Sequence, residues 1–219
     1  MRRFVVSIRT NPASQTSKPV LVLNKSRVST MLSGSNNQDF KSLTFERATN
    51  CGALCSFTCG QDLVDGIIKE LDTYLSTNDL FLVKEGNNVV ALFCLGKYGH
   101  ALFLPDKTKD KMRSGIKPKP SCLLDEDCSY FQSAEISLLA VREDCQGRHI
   151  GSFIIEQIME RLVNDDVAQR DFLIVRALCL TDYSAIPFYE KCGFTPAQEK
   201  QDGDNSLTMY RIIRKPLAV

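Results

Sequence analysis

Apolar residues along this chain fall into two rhythms. LTFERA (43–48) alternates every second residue and predicts a half-buried strand. From Gln61 to Leu75 the apolar positions Leu63, Val64, Ile67, Ile68, Leu71 and Leu75 recur at helical spacing and predict one amphipathic helix. LFLVK (80–84) and VVALFCLG (89–96) read as strands around Glu85-Gly86-Asn87-Asn88, a hairpin turn because Gly and Asn tolerate positive φ. AEISLLAV (134–141) predicts a strand, Ser152–Val163 a helix, and DFLIVRALCL (171–180) a strand apolar enough to be covered on both faces. A short helix over Ser184–Cys192 would end at the left-handed cap Gly193, and SLTMYRII (206–213) would be the last strand. Strands alternating with helices in this order predict an α/β fold, a mixed sheet flanked by helices.

Two segments depart from the rhythm. Residues 98–132 mix charge (DKTKDKMR), prolines and acid, and read as a long insertion in a single domain over 41–219. The first 38 residues hold six basic residues, no acidic one, and much Ser and Thr. We read residues 1–40 as a poorly ordered extension whose composition also fits an organellar leader.

The net charge of +1 argues against nucleic acid as the main partner. No apolar run approaches the roughly 20 residues that span a bilayer. Nine cysteines form no C-x-x-C pair, and the two histidines are not spaced with them as ligands. Reduced thiols in a cytoplasmic protein with no metal are therefore expected, with Cys94 and Cys179 in the core.

Gln146-Gly147-Arg148-His149-Ile150-Gly151-Ser152 leads from a strand into a helix. Backbone N–H groups at such a start converge in front of the helix dipole and suit a phosphate or pyrophosphate. Gly147 and Gly151 allow close approach, and Arg148 brings a mobile positive charge. The segment lacks the Gly-Lys-Ser/Thr ending of a P-loop and the three glycines of a dinucleotide fingerprint.

Further on stands DYSAIPFYEKCGF (182–194). The two motifs, in this order, resemble the GNAT superfamily of acyl-CoA-dependent N-acetyltransferases, over about residues 43–213. The family's loop runs R/Q-x-x-G-x-G/A, so His149 occupies a glycine position, and Asp182 stands where Asn is common. FTCGQDLVDGIIKE (57–70) and the LAV before the loop are similar to a bacterial subgroup that includes toxins acetylating aminoacyl-tRNA. That subgroup often reads G-R-L-A-V, whereas this chain reads Ser137-Leu138-Leu139-Ala140-Val141.

The resemblance implies splayed central strands holding acetyl-CoA as co-substrate, the N–H groups of Gln146, Gly147, Arg148, His149, Ile150, Gly151 and Ser152 on its pyrophosphate. Leu139, Ala140 and Val141 would pair with its pantetheine arm. It also implies acetyl transfer to a primary amine by direct attack in a ternary complex. Tyr189 is then the proton donor to the departing thiolate; a phenol of pKa about 10 stays protonated where a thiol of about 8.5 does not. Glu135 is the candidate base, placed by period-two alternation on one face with Ser137 and Leu139. The acceptor is an amine on a small molecule, peptide or protein, with tRNA less favoured and a homodimer as the assembly to test. A fold that binds acyl-CoA without turnover is the alternative.

Overall fold

The computed structural model describes residues 40–97, 100–105, 128–164, 170–197 and 205–213. The extension at 1–39 and the centre of the 98–132 segment lie outside them. Eleven named elements follow along the chain: β1 (Leu43–Ala48), α1 (Asp62–Lys69), β2 (Asn78–Glu85), β3 (Asn88–Gly96), β4 (His100–Pro105), β5 (Cys128–Val141), α2 (Ile150–Asn164), β6 (Phe172–Leu178), α3 (Ile186–Lys191), β7 (Thr195–Pro196) and β8 (Ser206–Ile212). They build one eight-stranded mixed sheet, ordered β1-β2-β3-β5-β6-β8-β7, with β4 also on β5.

The alternating strands and the β2–β3 hairpin form as their patterns require, with Gly86 at φ 60° in the turn. Three expectations are corrected. The helix expected over Gln61–Leu75 stops at Lys69 and continues as a separate 3-10 turn over Leu71–Thr73. The short helix is trimmed to Ile186–Lys191. The segment at 98–132 is not all loop: its ends are β4 and the first part of β5, paired antiparallel from His100↔Ser133 to Pro105↔Cys128. Lys, Pro and Asp between them obscured two strands that meet only across the intervening chain.

Helices cover both faces of the sheet. On one face α2 and α3 bury Ile154, Ile155, Ile158 and Tyr189 against Phe81, Phe93, Ile136, Leu173, Val175 and Met209 in a continuous core. Arg211 of β8 fastens this layer, its guanidinium donating to both Glu156 carboxylate oxygens on α2 (2.6 and 3.2 Å) and to the Cys192 carbonyl after α3 (2.9 Å). The other face is divided. Under α1, Leu54, Ile68, Leu71, Leu80, Leu82, Leu92, Cys94 and Ala140 form one cluster. Phe172, Ile174, Ala197 and Tyr210 form another.

The sheet opens at its centre. β5 and β6 are its parallel pair, and they pair only from Ser133↔Phe172 to Ile136↔Val175. Beyond that point β5 continues to Val141 on β3 while β6 continues to Leu178 on β8. The two strands part, and the edge of residues 137–141 that faces β6 carries no strand.

Candidate functional site

A bulge shapes the fork. Cys94 pairs with Leu138 and Leu95 with Ile136, so Ser137 is the extra residue on β5. The bulge breaks strict alternation. Leu138 and Ala140 pack in the cluster under α1, whereas Leu139 and Val141 pack with the α2 face. Leu139 therefore does not share a face with Glu135 and Ser137, contrary to simple alternation.

At the far end of the free β5 edge lies the loop into α2. A 3-10 turn over Glu143–Cys145 comes first, and Arg142 braces it by donating to Asp144 (2.6 Å) and to the Val89 carbonyl (3.0 Å). Gly147 follows at φ 76°, and His149 at φ 61°. His149 is the one non-glycine residue with positive φ among those described. This left-handed backbone suits glycine, and here it carries a side chain, at a cost of about 1 kcal/mol. Gly151 is tightly packed: a Cβ on it would lie 3.0 Å from Phe188 Cζ and 3.6 Å from Val141 Cγ2, so any side chain here makes Phe188 give way.

The donors are distributed unevenly. The Gln146 N–H is already committed to the Glu143 carbonyl (3.3 Å). Among the described residues, no backbone hydrogen bond occupies the N–H groups of Gly147, Arg148, His149, Ile150, Gly151 and Ser152, while Phe153 donates to the His149 carbonyl (3.0 Å). Several orphan donors at one helix start form an anion-binding concavity. The side chains serve a different end. Arg148, expected as a mobile positive charge, here holds both Glu85 carboxylate oxygens (2.9 and 3.2 Å), and that pairing keeps the Glu85 carboxyl below its ordinary pKa. Gln146 Nε2 donates to the Cys59 carbonyl (2.7 Å) and the Val141 carbonyl (3.1 Å), and Glu143 N–H donates to the Thr58 carbonyl (3.0 Å). These bonds bind the loop before α1 to the loop before α2.

Tyr189 lies on α3, buried, with its ring edge-on to Phe188 (5.1 Å) and Phe194 (5.5 Å). Gly193 at φ 80° turns the chain back so that Phe194 N–H reaches the Tyr189 carbonyl (3.0 Å). Burial first, then the neighbouring Tyr183 and Cys192, raises the phenol's pKa well above its ordinary value. The proton therefore stays on at neutral pH. Cys145 and Cys192 are buried, as are Cys94 and Cys179.

Glu135 occupies the opposite face. Its side chain is only 8% exposed and accepts from Arg176 Nε at 3.2 Å. Arg176 is the first β6 residue past the last β5–β6 pair, and its side chain is 68% exposed. Near the fork, Ser137 Oγ donates to Asn78 Oδ1 (2.7 Å), and Asn78 Nδ2 donates to Thr77 Oγ1 (2.9 Å) and the Tyr74 carbonyl (3.2 Å). Asn78, Ser137, Glu135 and Arg176 thus form a polar strip between the two apolar clusters of the α1 face. Sequence reasoning missed Asn78 and Arg176. A signal existed for Arg176, the lone charge inside the apolar run FLIVRAL. Among the described residues no group of three or more His, Cys, Asp or Glu side chains could hold a metal, and no helix is long and apolar enough to cross a membrane.

This architecture is that of the GNAT acetyltransferases, whose acetyl donor is acetyl-CoA. Residues 121–196 match the model of the Acetyltransferase (GNAT) domain, and the sheet with its splayed central strands has the GNAT fold. No curated protein sequence matches it. Among solved structures it is similar to the KacTA–DNA complex (17% identity, covering 78% of this chain and 93% of that one, TM-score 0.55). It is also similar to AtaTR bound with AcCoA (19%, 78% and 94%, TM-score 0.53) and to AtaT complexed with acetyl-methionyl-tRNAfMet (20%, 76% and 93%, TM-score 0.52).

Proposed function

We propose that the chain moves the acetyl group of acetyl-CoA to a primary amine by direct attack in a ternary complex. The observation that carries this reading is the fork between β5 and β6, whose free edge runs straight to the unoccupied N–H groups at the start of α2. In this reading the pyrophosphate sits on the donors from Gly147 to Ser152, and the pantetheine amides pair with the edge at Leu139–Val141. The thioester then lies in the fork. Backbone donors there polarise its carbonyl. The amine nitrogen bonds to the acetyl carbon as the carbon–sulfur bond breaks. Glu135 takes the proton lost by nitrogen, directly or through water, and Tyr189 protonates the departing thiolate.

The test is thiol release from acetyl-CoA with a broad amine panel, wild type against Tyr189→Phe. Amine-dependent release that the variant loses supports the reading. Tight acetyl-CoA binding with no release for any amine would leave only an acyl-CoA-binding module. The likeness to AtaT complexed with acetyl-methionyl-tRNAfMet favours a second reading, in which the amine belongs to an aminoacyl-tRNA. Growth arrest on expression, absent in Tyr189→Phe, would support it; harmless expression with small-molecule turnover would remove it.

A further inference from the structure

The polar strip on the α1 face carries an inference about the acceptor, and it rests on the acetyl-transfer reading above. Asn78 and Ser137 satisfy each other. The carboxylate of Glu135, buried at the fork, holds Arg176 through Nε alone. Nη1 and Nη2 of Arg176 have no partner among the described residues, and the side chain is largely exposed. A guanidinium whose inner edge is fixed by a buried carboxylate presents its outer donors in a set direction. Such a fork matches the two oxygens of a carboxylate or phosphate. Its position matters as much as its shape. Arg176 is the residue at which β6 leaves β5, on the face opposite α2, so it stands beside the fork and across the sheet from the core that packs α2.

We propose that Arg176 is a specificity-determining residue that holds an anionic group of the acceptor. The substrate is then an amine that also bears a carboxylate or a phosphate. With the anion on Arg176, the amine falls beside Glu135, the group assigned to receive its proton.

The experiment compares matched acceptors in the thiol-release assay: an α-amino acid against its amide, and an aminoalkyl phosphate against the corresponding amino alcohol. In wild type the anionic member of one pair should have a kcat/KM about 10- to 100-fold higher, mostly through KM, as expected for a charge-assisted pair. The pair that shows the preference identifies carboxylate or phosphate. Arg176→Gln should abolish the preference, the ratio of anionic to neutral kcat/KM falling to about one, and Arg176→Lys should retain part of it, since charge survives without the planar fork. Acetyl-CoA binding and Tm measured on each variant establish that the fold is intact. Equal use of neutral and anionic amines, or equal loss of both in Arg176→Gln, would overturn the inference and leave acetyl transfer standing. No thiol release from any amine would overturn both.

Discussion

The two ends of the fork are built from different materials. At the α2 end the proposed recognition groups are backbone N–H donors, while the side chains of Gln146 and Arg148 are engaged with Cys59 and Glu85. On the α1 face the proposed recognition groups are side chains brought from β5 and β6. A backbone site tolerates side-chain variation and fails when the chain path changes. A side-chain site behaves in the opposite way. The substitution of glycine by His149 is an instance of the first: the N–H remains, and the left-handed φ is retained.

Four measurements would break or sharpen this contrast. Tyr189→Phe should have the largest effect, lowering kcat about 10²- to 10³-fold with little change in acetyl-CoA affinity, since a positioned proton donor contributes on that scale. The raised phenol pKa adds a pH signature: because its proton is retained beyond its ordinary range, the kcat/KM profile should show no fall assignable to Tyr189 below about pH 10. A basic limb between pH 7 and 9 that vanishes in Tyr189→Phe would contradict this.

Gly151→Leu comes next. A side chain here must displace Phe188 and the start of α2, so acetyl-CoA affinity and Tm should fall together, with overpacking costing about 1–3 kcal/mol. Unchanged binding by calorimetry would show that the loop's path does not matter. His149→Gly should change less. Relief of the left-handed strain, about 1 kcal/mol, is offset in part by the entropy of glycine, so denaturant midpoint and affinity should barely move. Arg148→Ala should be smallest, below about threefold in affinity, because its exposed pair with Glu85 contributes little. A tenfold loss would mean that Arg148 leaves Glu85 to meet the phosphates, and the contrast would fail.

The same contrast explains what could be read in advance. The loop into α2 is contiguous, so its glycines and its lead into a helix were visible in seven residues; the commitment of the Gln146 N–H to Glu143 and the bond of its side chain to Cys59, 87 positions away, were not. Glu135 could be nominated from its strand, but its burial and its partner Arg176 depend on the β5–β6 register. The bulge at Ser137, which sends Leu139 to the opposite face, arises from pairing with β3 and leaves no mark in the AEISLLAV pattern. β4 was hidden because it pairs only with β5 across the segment between them.

The fork also has a consequence for folding. Four residue pairs, Ser133 to Ile136 on Phe172 to Val175, are the sheet pairing that joins β1–β5 to β6–β8. Each side is otherwise knit by antiparallel neighbours, whereas this seam is short and parallel. Parallel pairing is slightly less stable per residue than antiparallel, so the seam is the weakest join in the sheet. In the proposed reading a ligand on the free β5 edge would supply rungs that β6 does not reach. By mass action, saturation at 100 times Kd would add about 2.7 kcal/mol to the resistance of the whole sheet to unfolding. The co-substrate would then act as a removable part of the fold, and the protein's melting temperature would report how much acetyl-CoA surrounds it.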